Sequence, residues 1–238
     1  MPPTGHPTES ASSRQASKPG KLHRRRLARS QRLFSFDRGL GSRFVAGADE
    51  AGRGCLAGPL VAAAVLIDYE KLSRSDRRAL GGLHDSKQMT EERRLEMYPS
   101  VLRAAERVSV VVRGAAGIDR RGLHVTNIEA LSVALERLDP PAEAICLSDG
   151  FSLKRCAVPH RAVVEGDGTS AAIAAASVVA KVTRDRYMRD AAERHPGWGF
   201  EEHVGYSTPE HREAIERLGI SSLHRRSFQS VAYSQLSL

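Results

Sequence analysis

Four acids are spaced so that they can do chemistry together. Asp49 and Glu50 are adjacent in GADEAGRG (47–54), Asp149 stands in LSDG, and Asp167 lies between two glycines in EGDG. Each follows an apolar run that reads as a strand, and convergence of those strands would bring four carboxylates to one place. Like charges that close repel and raise one another's pKa unless a cation neutralises them. A donor set made only of oxygens, with no His or Cys, selects a hard ion, Mg²⁺ or Mn²⁺. A pair of such ions suits phosphodiester hydrolysis, one generating hydroxide and the other stabilising the leaving oxygen. Taken singly, each acid reads as an ordinary turn residue, because Asp before Gly is a common turn former. Their repetition at strand ends points to a site. Neighbouring strand residues face opposite ways, so Asp49 and Glu50 are expected to share it only if Glu50 leaves strand geometry.

Complementary groups lie nearby. In GRG, Gly52 and Gly54 let the main chain approach a phosphate or a sugar hydroxyl, and Arg53 offers a forked donor pair. A tight turn is the plainer reading of that tripeptide. Ser86 and Lys87 precede a helix, where they suit a phosphate. Lys181 and Arg184 share a helix face, with Asp185 beside them as an alternative ion-pair partner. Tyr206 sits in the loop HVGYSTPEH, where its ring would stack on a sugar or base or simply pack. His203 and His211 match no zinc spacing. No Ser/His/Asp or Cys/His nucleophile pattern and no P-loop are present.

The elements that must position these groups follow from patterning. FVAGAD and PLVAAAVLI suggest adjacent antiparallel strands. TEERRLEMYPSVLRAA reads as a helix capped by Thr90, RVSVVVRGA as a strand, and LHVTNIEALSVALERL as an amphipathic helix stopped by Pro140 and Pro141. EAICLSDG and HRAVVEGD are further strands, with Asp149 and Asp167 at their ends. The long helix in SAAIAAASVVAKVTRDRYMRDAAERH has an Ala/Ser face able to pack close to a sheet. TPEHREAIERLG starts a last helix at Thr208, with Pro209 in its first turn. Hairpin strands followed by alternating strands and helices imply an α/β fold, a mixed sheet with helices against it.

At 238 residues the chain is long enough for one well-buried domain. The net charge of +8 resides entirely in the first 43 residues, with ten Lys/Arg against two acids; residues 44–238 hold 26 of each. That segment is expected to be a disordered basic extension, of which LHRRRLARSQRLF would form a helical turn or two on an anionic partner. The domain is expected to occupy residues 44–238. No run approaches the ~18 apolar residues of a membrane span, no signal core is visible, and three scattered cysteines suit a reducing compartment. A cytoplasmic location is expected.

From about Phe44 to Val231 the ordered series GADEAGRGCLAGPLVAAAVLI, DSKQMT, LSDG, VVEGDGTSAAIAAASVVAKVTRDRYM, HVGYSTPEH and HRRSF resembles bacterial ribonuclease HII, the type 2 ribonucleases H. The resemblance implies an RNase H-like fold with a helical C-terminal extension. It implies an endonuclease that cuts the RNA strand of RNA–DNA hybrids and nicks 5′ of ribonucleotides embedded in duplex DNA, leaving 5′-phosphate and 3′-hydroxyl ends. Such an enzyme removes misincorporated ribonucleotides and RNA primers. By the same resemblance, Asp49, Glu50, Asp149 and Asp167 hold two Mn²⁺ or Mg²⁺ ions. Gly52, Arg53 and Gly54 read the ribose 2′-hydroxyl, and Tyr206 packs on the following deoxyribose. Ser86, Lys87, Lys181 and Arg184 contact the nucleic-acid backbone. A monomer is expected by family analogy. Three residues depart from the family pattern: Cys55 where proline is usual, and Glu165 and Val204 where lysines are usual. The two lost charges would weaken nucleic-acid affinity, and the basic extension would offset the loss. The alternatives are a non-catalytic basic nucleic-acid-binding module and a DNA-directed metal nuclease of the same fold.

Overall fold

In the computed structural model, which describes residues 21–228, the chain runs through helix α1 (Lys21–Gly39), strands β1 (Phe44–Ala51) and β2 (Leu60–Asp68), and helices α2 (Arg74–Ala79) and α3 (Glu91–Ala104). Strand β3 (Arg107–Arg113), helices α4 (Ala115–Arg121) and α5 (Leu123–Leu138) and strands β4 (Ile145–Asp149) and β5 (His160–Val163) follow. Helices α6 (Ala171–Arg194), α7 (Phe200–His203) and α8 (Pro209–Leu218) complete the order. The strands form one sheet, β3-β2-β1-β4-β5, with β1 at its centre. β1 pairs antiparallel with β2, as its hairpin-like spacing predicts, and parallel with β4.

Side-chain alternation divides the sheet between two cores. Val45 and Ala51 of β1 pack with Val61, Ala63 and Leu147 beneath α6. Ala46 and Ala48 face the other way, towards Ala130, Leu131 and Ala134 of α5. Both faces of β1 and β2 are covered, which is why these strands read as unbroken apolar runs. The close approach of α6 depends on Gly47, where a Cβ would lie 2.2 Å from the Ile173 amide nitrogen. Ser170 caps that helix, its Oγ accepting from Ile173 N at 3.3 Å.

Two expectations need correction. Part of the segment before residue 44 belongs to the folded domain: Leu33 and Phe34 of α1 are buried in the α6-side core. Asp37, buried on the same helix, accepts from the Ala172 amide at 2.9 Å and from the Tyr69 hydroxyl at 2.7 Å. The basic composition around these residues hides an amphipathic face that the body completes. Residues 1–20 lie outside the described residues. Asp167 is not at the end of its strand either: β5 stops at Val163, and the acid sits in the 3-10 turn Gly166–Gly168 that leads into α6.

Candidate active site

β1 and β4 run in parallel register, with Ala48 beside Ser148. Asp49 and Asp149 therefore emerge next to each other, on the α6 side of the sheet. The turn before α6 brings Asp167 up to them, and one carboxylate oxygen from each of the three acids lies within 4.8 Å of the others. The main chain fixes their orientation. Glu50 N donates to Asp49 Oδ1 at 2.7 Å, and Gly166 N donates to Asp149 Oδ1 at 2.7 Å. Asp49 Oδ2 is left buried without a hydrogen bond. An orphaned buried acceptor costs about 1–3 kcal/mol, and three convergent hard oxygens with one such atom fit a divalent cation.

Glu50 does not leave strand geometry, the condition on which it would share a face with Asp49. β1 continues through it, pairing Glu50 with Ala62, so its side chain points to the α5 face while Asp49 points to α6. It stands outside the trio of aspartates, and its Oε1 is 3.5 Å from an Arg53 Nη1. Burial, helped by the Glu50 and Asp149 charges, raises the Asp49 pKa well above the carboxylate range. Burial likewise pushes Glu50 up to about 7, against the opposing pull of Arg53. Asp167 is raised by burial and held back by Lys87, whose Nζ is 3.2 Å from Asp167 Oδ2. The acids thus carry an electrostatic strain that the Lys87 charge eases at Asp49, Glu50 and Asp167 and Arg53 eases at Glu50, without offsetting their burial.

One open cleft adjoins the acids, lined by Glu50, Ala51 and the loop residues Gly52, Arg53 and Gly54, and by Ser86, Lys87, Arg94, Lys181 and Tyr206. Every residue singled out from the sequence as a substrate contact lies on it except Arg184. The two loop glycines differ. Gly52 has φ +94°, and a Cβ there would sit 2.1 Å from Arg184 Nε and 2.7 Å from the Pro59 carbonyl oxygen. Gly54 has nothing within 4 Å of that position, so a side chain there would meet open space. Arg53 stacks on Phe151, its Cζ 4.7 Å from the ring centre. Lys181 Nζ lies 4.9 Å from the centre of the Tyr206 ring and 2.7 Å from Asp185 Oδ1. The Ser86 hydroxyl is engaged with Ser177 at 2.7 Å.

Arg184 is a correction. It is fully buried, and its guanidinium donates to the carbonyls of Pro59, Val204 and Ala57. It has no surface to offer a phosphate. His203 and His211 belong to a ring-stacked group with His224; both are hydrogen-bonded to main chain, and His211 is also hydrogen-bonded to His224. Two residues escaped the sequence reading, Arg94 in the cleft lining and Asn127 beside Glu50. Arg94 bonds the Ser86 carbonyl at 2.9 Å. Asn127, on α5, is fully buried and favours the ionised form of Glu50. A polar residue amid the apolar face of a helix was the available signal.

Residues 46–231 match the sequence profile of the family Ribonuclease HII. A ribonuclease HII of Nocardia farcinica is 49% identical over 187 residues, 79% of this chain and 72% of that protein. One from Geobacillus kaustophilus is 43% identical over 204 residues, 84% of this chain and 75% of that protein. The crystal structure of the ribonuclease H2 from Pyrococcus horikoshii, 27% identical, aligns with a TM-score of 0.67 over 81% of this chain and 96% of that one. The RNase H-like architecture expected from the sequence is the one found.

Proposed function

Because the chain belongs to the ribonuclease HII family, we propose that its acidic cluster cuts the RNA strand of RNA–DNA hybrids and the duplex DNA strand 5′ to an embedded ribonucleotide. The carrying observation is the convergence of Asp49, Asp149 and Asp167 within 4.8 Å beside a cleft lined by the Gly52–Gly54 loop. Asp49, Asp149 and Asp167 would hold divalent ions, Mn²⁺ or Mg²⁺, with Glu50 reaching the same edge from the opposite face. When bound, such ions activate water and neutralise charge on the leaving oxygen. Water attacks the scissile phosphorus in line, the P–O3′ bond breaks, and a 5′-phosphate and a 3′-hydroxyl result.

The remaining residues recognise and orient. The open main chain at Gly54, with Gly52 and Arg53, meets the ribose 2′-hydroxyl, which is read and not used as nucleophile. Tyr206, held over Lys181, packs on the sugar that follows. Lys87 and Lys181 bring positive charge to the phosphates. Arg184 takes no part in that contact.

The test is cleavage of a DNA duplex carrying one ribonucleotide, with Mg²⁺, with Mn²⁺ and with chelator, beside an all-DNA duplex. A metal-dependent nick 5′ of the ribonucleotide, lost in Asp49→Asn and absent from all-DNA, is expected. Binding without cutting under any metal would make the protein a binding module. Equal cutting of all-DNA would remove the sugar-reading role from the loop.

A further inference from the structure

The cleft loop between β1 and β2 has little internal structure. Gly52 and Gly58 both have positive φ, and inside the loop one main-chain hydrogen bond, Cys55 N to Gly52 O at 3.4 Å, is present. Its shape is imposed from outside, and the largest contribution comes from a residue 172 positions away. Arg225 is fully buried. Its Nη1 donates to the Arg53 carbonyl at 3.0 Å, while Nε and Nη2 donate to the Gly58 carbonyl at 3.0 and 2.9 Å. Its own amide donates to the Leu56 carbonyl at 2.8 Å. The planar fork thus spans the loop from the residue that faces the cleft to the residue that re-enters the sheet.

We propose that Arg225 is a positioning residue for ribose recognition: from the interior it fixes the Arg53 and Gly58 carbonyls and thereby sets where Gly54 meets the sugar. The inference rests on the reading of that loop as the ribose-contacting element. Burying a guanidinium is costly unless its donors are satisfied, and here they are satisfied by main-chain carbonyls of this loop. Arg184 completes the arrangement from the other side. It holds Ala57 and Pro59 and also the Val204 carbonyl, two residues before Tyr206. Val204 has φ +44°, a conformation that is strained for a β-branched residue. The glycine loop and the tyrosine loop are thereby tied to one interior frame. A shift of about 1 Å in such a frame costs on the order of 100-fold in rate while leaving the reacting groups intact.

The experiment compares full-length Arg225→Lys, Phe228→Leu and Gly54→Ala with wild type. Lysine keeps the charge and loses the fork. Phe228 carries the ring 5.2 Å from the Arg225 Cζ and has no part in the cleft, so its change loosens the guanidinium without touching the loop. The readouts are kcat and KM on the single-ribonucleotide duplex, Mn²⁺ affinity by calorimetry, and the thermal midpoint. For Arg225→Lys, kcat/KM is expected to fall about 10–100-fold with Mn²⁺ affinity within about twofold of wild type, and Phe228→Leu is expected to fall less, in the same direction. If Arg225→Lys does not fold, Phe228→Leu decides. A lowered melting point with unchanged kcat/KM would reduce Arg225 to a stabilising role and overturn the inference. Loss of cleavage in Gly54→Ala with normal cleavage in both other variants also overturns it, while the loop reading stands. Wild-type cleavage by Gly54→Ala would instead remove the loop reading, and the inference with it.

Discussion

The two glycines that flank Arg53 are alike in sequence and opposite in cause. Gly52 is demanded by the protein: its φ is +94°, and Arg184 and Pro59 occupy the space a side chain would need. Gly54 is demanded by nothing in the protein. Gly52→Ala is therefore expected to destabilise the fold by about 1–3 kcal/mol through strain, read by urea denaturation. Gly54→Ala is expected to leave stability within about 0.5 kcal/mol and to lower cleavage of a single-ribonucleotide duplex at least tenfold, because its methyl enters the ligand's space. Equal melting of the two variants would sink the distinction. The three aspartates were legible because each follows an apolar run, Asp49 and Asp149 at its end and Asp167 one turn later, a pattern that local sequence can carry. Arg184 was misread for the converse reason: a charged residue beside Asp185 on a helix looks solvated, and its three carbonyl partners come from loops more than a hundred residues earlier or twenty residues later. Asn127 was passed over because a single amide on an apolar helix face is a faint signal, which a hydrogen-bonded core residue gives as well.

Elements bring these residues together, and α1 shows how an element is hidden. Its sequence is dominated by arginine, which suggests a solvated tail, yet Leu33 and Phe34 are buried against α6 and Asp37 accepts from the Ala172 amide in its first turn. An anionic group there suits the helix N-terminus, although burial raises the Asp37 pKa despite its bonds to Ser170, Tyr69 and Ala172. Only the partner surface on α6 reveals the apolar stripe, and that surface is assembled by the fold. The consequence is measurable by truncation. Removing residues 1–43, the boundary drawn from composition, deletes two buried apolar side chains, Leu33 and Phe34, each contributing about 1.5–3 kcal/mol. Such a truncation is expected to be about 3–6 kcal/mol less stable than one removing residues 1–20, by denaturant titration. Equal midpoints would mean that the helix does not belong to the domain. β1 illustrates the same point in milder form. Its apolar run was readable, but whether the strand continued through Glu50 was not, because the following glycines would permit an earlier break.

At the scale of the molecule, the C-terminal helices form a frame that meets the β1–β2 loop and carries Tyr206. Within it runs a chain of hydrogen bonds: the Ser221 amide donates to His224 Nδ1 at 2.8 Å, His224 and His211 share a proton between Nε2 atoms 3.1 Å apart, and His211 Nδ1 donates to the Tyr206 carbonyl at 2.8 Å. Two neutral imidazoles satisfy every step, since one ring supplies the proton that the other accepts. Protonating both would set two N–H groups against each other. Burial accordingly pushes both His211 and His224 down to about 4. A histidine whose folded pKa is depressed is protonated first in the unfolded chain, so between about 6.5 and 4 the unfolded state binds more protons and stability is lost as the pH is lowered. Above about 6.5 the contribution is fully present. His203, stacked on His211 at 4.1 Å, and His195, whose charge opposes protonation of His224, face the same pair. Replacing His211 and His224 together by glutamine removes this source of pH dependence and leaves that of the acids. Denaturation of wild type and the double variant at intervals from pH 4 to 8 isolates it. The stability difference, wild type minus variant, is expected to rise with pH up to about 6.5 and then to level off. Cleavage by wild type should fall on the acid side of that range as the frame loosens under Tyr206 and the glycine loop. A difference that stays flat from pH 4 to 8 would show that the imidazole pair is no more than packing.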